Sequence, residues 1–227
     1  MRDTARSMEA GDIRTRRRAS AGIERRFGRA QTRPFVSYAP GSFSVCASNR
    51  NRMPISIAGR SCRLRQWFGS DAEALVPLAN DPYVARYLSH VFPQPYTRAD
   101  ADRWIREQGT AETIGQFAIE VDGELAGGIG FIIGSGEREG TAALGYWLGR
   151  RFWGRGVMTE AVQGVTQWAF DALRVRRVWA NVMDPNVASA RVLEKAGYTL
   201  EATRRLAICD RRGMIHDELI YACVRPN

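Results

Sequence analysis

From residue 62 onward the chain alternates between short apolar runs of strand rhythm and longer runs of helical rhythm, with turn residues at each change. Residues 62–67 read as a first strand, and Ser70-Asp71 is expected to cap a helix over 72–78. Pro82 opens a second short helix over 81–88, and Thr97 caps a third over 98–108. Two strands, 116–121 and 125–133, meet through Asp122-Gly123, a hairpin signal. Gly127, Gly128 and Gly130 within the second of these imply close backbone approach or a bulge. The apolar, aromatic run 141–148 predicts a buried strand, and Val157, Ala161, Val165, Trp168 and Ala169 mark a helix over 157–173. A strand over 177–183 ends at Asp184-Pro185-Asn186, where Pro185 cannot continue a central strand. Asn186 then caps a helix over 187–196 that Gly197 stops. Strands over 198–208 and 215–225, joined through 210–213, close the chain. The order predicts an α/β (α+β) class: a mixed, mainly antiparallel sheet of six to seven strands with helices on both faces.

Composition alters this picture at one end only. The net charge of +9 suggests nucleic acid until it is divided along the chain. Residues 1–60 carry 13 Arg against 4 Asp and Glu, a difference of +9, while 61–227 carry 20 Lys and Arg against 20 Asp and Glu. The excess therefore sits in a segment without hydrophobic period, read as a disordered basic extension before a domain over 61–227. A basic arm for RNA or ribosomes, a transit-like leader and an over-extended start are its three readings. Met53 shortly before the domain favours the last. No apolar run approaches the ~20 residues of a membrane span. Four cysteines without metal-ligand spacing and only two histidines argue against a metal site and for reduced thiols in a cytoplasmic setting.

The candidate chemistry centres on Arg151-Phe-Trp-Gly154-Arg155-Gly156, between the 141–148 strand and the 157–173 helix. A glycine-spaced loop running into a helix N-terminus collects backbone N–H groups and the positive end of the helix dipole, an anion cradle. A nucleoside-triphosphate loop needs a lysine after its last glycine, and the only lysine is Lys195. A dinucleotide loop needs a third glycine where Thr159 stands.

What remains, Arg-x-x-Gly-x-Gly, resembles the pyrophosphate loop of the GNAT superfamily of acyl-CoA-dependent N-acetyltransferases. The run from Asn181 to Tyr198 resembles the second half of that core. Gly145-Tyr-Trp-Leu-Gly, 153–161 and Asp217-Glu-Leu-Ile-Tyr221 resemble its bacterial branch of ribosomal-protein alanine N-acetyltransferases. The resemblance spans roughly 62–225 and implies acetyl-CoA as co-substrate. It pairs the coenzyme's pantetheine arm with Tyr146, Trp147 and Leu148, and seats its pyrophosphate on the amides of 151–158, among them Arg151, Gly154, Arg155, Gly156, Val157 and Met158. It gives Asn186 a hold on the pantetheine and puts Ser189 near the thioester sulfur. Each residue also has a plainer use: Asn186 as a helix cap, Arg151 and Arg155 as loop charges, Glu160 and Asp217 as structural carboxylates.

The acid and base depart from the superfamily pattern. Leu193 stands where many members carry a proton-donating Tyr, and Ala142 and Ala143 where many carry a Glu. Ser189 as donor, a base acting through water, and His90 are the remaining options, and the base is unassigned. The expectation is direct transfer of an acetyl group from acetyl-CoA to a primary amine, a protein N-terminus or a small molecule, by a monomer or homodimer. The alternatives are a non-catalytic acyl-CoA-binding regulatory module and a ribosome- or RNA-associated factor using the basic arm.

Overall fold

The computed structural model describes residues 56–108 and 115–225; the extension expected over 1–60 lies outside the described residues for its first 55 positions. In chain order the elements are β1 (Ile57–Ala58), β2 (Arg63–Arg65), α1 (Asp71–Ala79), α2 (Pro82–Ala85), α3 (Arg98–Gln108), β3 (Gln116–Val121) and β4 (Glu124–Ile133). There follow β5 (Thr141–Leu148), α4 (Val157–Ala172), β6 (Arg177–Met183), α5 (Val187–Lys195), β7 (Thr199–Cys209) and β8 (Ile215–Val224). The strands form one sheet in the order β1-β2-β3-β4-β5-β6-β8-β7, and only the β5–β6 pair is parallel.

The mixed, mainly antiparallel sheet agrees with the sequence, but among the described residues it has eight strands rather than six or seven. The additional one is β1, two residues that pair with β2 from inside the expected extension. It is too short to show a period-two pattern. Two further boundaries move. The first expected strand contracts to Arg63–Arg65, and the helix expected over 81–88 keeps only Pro82–Ala85.

Local chemistry explains most element ends. Thr97 and Asp100 form a reciprocal box: the Asp100 N–H donates to Thr97 Oγ1 at 3.2 Å, and the Thr97 N–H donates back to Asp100 at 2.9 Å. Asp81 accepts the Tyr83 N–H at 2.9 Å, with Pro82 in the first turn. Asp122 and Gly123 both take positive φ, 52° and 81°, as a type I′ hairpin turn requires. Ser70, expected to cap α1, makes no side-chain cap. Asp71 displaces it: its carboxylate accepts the Phe68 N–H at 2.8 Å and pairs with the buried Arg65 at 2.8 Å, while Arg65 also meets Glu120 at 2.5 Å. That ion cluster ties α1 to β2 and β3.

Alternation divides the core between the two faces. Phe117, Ile119, Ile129 and Leu144 face α4, packing on Val162 and Val165. Ala118 and Leu125 face the other way, against Trp67, Leu75, Tyr96 and Ile105 around α1 and α3. The β4 glycines meet the expectation of close approach. A β-carbon on Gly127 would lie 2.3 Å from the Trp147 carbonyl oxygen, and one on Gly128 would lie 2.9 Å from the Trp147 indole nitrogen. The ladder irregularity sits opposite, between Ile119 and Glu120 of β3.

The site follows from one feature of the sheet. β5 pairs with β4 along Ala142–Leu148, but with β6 only at Thr141, Ala143 and the residue between them, opposite Arg177–Trp179. Beyond that point β5 and β6 separate.

Candidate functional site

The separation leaves the β6-facing edge of β5 without a strand partner beyond Ala143. Gly134 N–H donates to the Thr141 carbonyl at 2.8 Å and Gly149 N–H to the Ala126 carbonyl at 2.8 Å, so odd-numbered residues of β5 direct their backbone groups at β4. By pleat alternation the backbone groups of Leu144, Tyr146 and Leu148 point into the opening toward β6. The Leu148 carbonyl is taken by the Trp153 indole N–H at 2.7 Å, which folds the loop back over the end of the strand. Tyr146 therefore presents strand-like donor and acceptor groups to the opening, the arrangement a peptide-like ligand pairs with.

At the end of β5 the chain makes one 3₁₀ turn, Arg150–Phe152, and then the two glycines. Gly154 and Gly156 hold φ of 73° and 79°, which β-carbon-bearing residues adopt at a cost. A β-carbon at either would meet no heavy atom within 4 Å, so the requirement is conformational and the space in front of them is open. Gly156 is also the N-cap of α4 and offers no side chain to its first turn. The amides of Val157, Met158 and Thr159 are thereby left uncapped at the positive end of a 16-residue helix. The side chains of Val157 and Met158 are buried in the core, so these residues offer only backbone to the opening.

Two cations flank the loop. Arg151 pairs with Glu124 at 2.6 Å and Arg155 with Asp122 at 3.2 Å, and both guanidinium groups lie over the Phe152 ring. All four charged groups are solvent-exposed, so these pairs are weak and exchange readily for a stronger anion. A cavity of about 210 Å³ lined by Val121, Asp122, Glu124, Arg151, Phe152 and Arg155 lies at their side. A larger one of about 520 Å³ lies farther along the β3–β4 hairpin, around Arg65, Phe68 and Gly123, and includes no residue of the β5–β6 opening.

Across the opening, Asn186 caps α5 by accepting the Ser189 N–H at 3.3 Å. Tyr146 reaches over from β5: its hydroxyl lies 2.7 Å from Ser189 Oγ and 3.3 Å from the Ser189 carbonyl. Burial pushes the Tyr146 phenol up to about 12, against the lowering effect of the Ser189 hydrogen bond. It therefore stays protonated at every ordinary pH and remains available as a donor. Sequence separation concealed this pair, because nothing local links position 146 to position 189.

The remaining candidates divide. Trp147 points to the opposite face, where its ring meets Phe92 edge-on at 6.2 Å. His90 is held at the β7 end by a 3.2 Å contact between Nε2 and the Cys209 carbonyl, and no hydrogen bond links it to Tyr146 or Ser189. Both carboxylate oxygens of Glu160 accept from the Ser61 N–H at 3.1 Å and tether the β1–β2 turn to α4, a structural use. Asp217 accepts the Leu206 N–H at 2.8 Å, also structural. Leu193 is fully buried. Two contacts at the opening carried no legible signal: that of the Trp153 indole with the Leu148 carbonyl, and that of Tyr87, whose hydroxyl donates to the Pro185 carbonyl at 3.4 Å. Among the described residues no group of three His, Cys, Asp or Glu could hold a metal.

Comparison with known proteins places this geometry. The model of the acetyltransferase (GNAT) domain matches residues 62–199. The probable N-acetyltransferase YjcK of Bacillus subtilis (strain 168) is 40% identical over 87 residues, 38% of this chain and about half (48%) of its own length. Among solved structures, RimL, a ribosomal L7/L12 alpha-N-protein acetyltransferase in complex with coenzyme A, superposes with a TM-score of 0.67 at 23% identity, over 75% of this chain and 98% of its own. The Microcin C7 self immunity acetyltransferase MccE, in complex with acetyl-CoA and AMP, does so with a TM-score of 0.64 at 24% identity, over 74% and 94%. An open parallel pair in an otherwise antiparallel sheet, an uncapped helix after a two-glycine loop and a family model over more than half the sequence agree: the chain belongs to the GNAT acetyltransferase family.

Proposed function

We propose that the chain transfers an acetyl group from acetyl-CoA to a primary amine by direct attack in a ternary complex. The observation that carries this is the unpaired inner edge of β5, running straight into the uncapped N-terminus of α4. The pantetheine arm has amides of its own and pairs with Tyr146 as an added strand. The pyrophosphate takes the amides of Val157 and Met158 and draws Arg151 and Arg155 from their exposed carboxylates. RimL and MccE, in complex with coenzyme A and with acetyl-CoA, support the assignment of this ligand.

The hydroxyl pair supplies the acid that Leu193 cannot. Ser189 protonates the departing thiolate, and Tyr146, held neutral by burial, keeps the Ser189 hydroxyl oriented and resupplied. Holding thioester and amine together contributes up to ~7–11 kcal/mol of the acceleration. The acceptor is a primary amine, a protein N-terminus or a small molecule. The free cysteines among the described residues, Cys62, Cys209 and Cys223, favour a cytoplasmic setting, and no described helix is long and apolar enough to cross a membrane.

The test is release of free thiol from acetyl-CoA across a panel of protein N-terminal peptides, polyamines and aminoglycosides. Turnover with one class identifies the acceptor. Tight acetyl-CoA binding without turnover would instead support the second reading, an acyl-CoA-binding regulatory module, which the alanines at 142 and 143 favour.

A further inference from the structure

The face of the opening turned away from α4 and α5 carries a charge that the donor site does not use. Glu218 on β8 is 4% exposed, on a strand whose alternate residues Leu219 and Tyr221 enter the core. Its Oε1 accepts from Asn181 Nδ2 at 2.8 Å, and its Oε2 is paired with Arg204 of β7. A carboxylate offers about four lone-pair sites, and these partners occupy two. Burying a charge is costly, and a strand face built for stability alone is served as well by apolar residues. The Arg204 side chain is itself 61% exposed, so this pair opens to solvent on one side.

The position matters as much as the charge. Parallel pairing stops at Ala143 opposite Trp179, and two residues further along each strand Gly145 and Asn181 come level on the same face. Gly145 is exposed, and a β-carbon on it would meet nothing within 4 Å. The opening is therefore clear on the β5 side and bordered on the β6 side by Asn181, with Glu218 behind it. Other charged or titratable groups on this face are Arg204, Arg177 of β6 with its partner Glu201, and His216, the last 3.5 Å from both Asp184 and Asp210.

We propose that Glu218, oriented by Asn181, is the carboxylate that receives the ammonium group of the acceptor, with Arg204 its counter-ion in the resting protein. This deepens the acetyltransferase reading and rests on it. It makes the acceptor a cationic amine entering from the face opposite Ser189. Of the ammonium's three hydrogens, one remains in the amide product and one passes to Glu218. The third ends on the coenzyme's sulfur by way of Ser189. The nitrogen lone pair forms the C–N bond as the C–S bond breaks, and the electron pair leaves on sulfur. Sequence reading missed Glu218 because its partners lie 37 and 14 residues away.

Methylammonium, the smallest ammonium common to all such acceptors, is the probe. In protein labelled with ¹⁵N-asparagine, the Asn181 side-chain amide is expected to shift saturably with methylammonium chloride and not with potassium chloride at equal ionic strength. Glu218→Gln should weaken this binding about tenfold or more, the loss of a charge-assisted hydrogen bond. Arg204→Ala, an exposed change that keeps the carboxylate, should tighten it by removing the competing cation. No saturable shift, or equal binding by wild type and Glu218→Gln, would overturn the assignment. If Glu218→Gln does not fold, unchanged or weaker binding by Arg204→Ala would overturn it as well. Calorimetry with acetyl-CoA runs in parallel. Its failure in the wild type would sink the acetyltransferase reading, whereas methylammonium reports on Glu218 alone.

Discussion

At the scale of single residues, the proposed chemistry turns on two hydroxyls 2.7 Å apart. Ser189→Ala should lower kcat by about a hundredfold, at the low end for loss of a general acid, with the affinity for acetyl-CoA nearly unchanged. Tyr146→Phe should cost roughly tenfold in kcat, since it removes one hydrogen bond to a donor that remains in place. Steady-state thiol release checks both, and a loss confined to KM in either variant would contradict the acid role. The helix that carries Ser189, with Asn186 as its cap, was legible in the sequence from Pro185 and Gly197, whereas the proposed roles of both residues come from the family resemblance. Tyr146 was legible as a strand aromatic, but its partner was not. Pleat alternation says which face a residue takes, not what crosses from another element to meet it. The Nε2 of His90 lies 3.2 Å from the Cys209 carbonyl, a contact across 119 residues with no local signal in the sequence.

At the scale of elements, turn and cap chemistry accounts for most boundaries, and its failures have causes. Thr97, Asp81 and Asn186 cap the helices they precede. Ser70 does not, because the next residue, Asp71, reaches both the Phe68 amide and buried Arg65. That long-range ion pair has no local signature. The β4–β5 ladder tests the reading of the strand glycines. In Gly127→Ala the new β-carbon would collide with the Trp147 carbonyl, so the thermal midpoint should fall by several degrees, whereas Gly145→Ala, which faces open space, should change it little. The β7–β8 turn adds a pH dependence. Asp210 is held down to about 2, first by the Met214 N–H and then by the Arg212 N–H, against the opposing effect of burial. Its folded value lies below its ordinary value of 3.8, so its contribution is present above about pH 4 and is lost as pH falls toward 2. The gap in thermal midpoint between wild type and Asp210→Asn should therefore narrow from pH 5 to pH 2, and a constant gap would contradict this.

At the scale of the whole molecule, the proposed site lies where the sheet fails to close. Seven strand junctions order the eight strands, and the parallel one, β5–β6, pairs over only three residues before the strands part. The sequence showed the loop and its glycines but not the parting, because separation is a relation between two strands whose patterns are each ordinary. An unpaired strand edge costs free energy in the free protein and is stabilised by a ligand that pairs with it. The same opening has two chemically distinct faces, hydroxyls from Tyr146 and Ser189 on one and the Asn181–Glu218 pair on the other, which are the proposed donor and acceptor sides. The direct test of this account is calorimetric titration of acetyl-CoA into the wild type and Gly156→Glu, which puts a carboxylate and a strained backbone at the uncapped end of α4. One-to-one binding by the wild type and none detectable by a folded Gly156→Glu are the expected results; equal affinity in the two would show that the coenzyme does not sit at this loop.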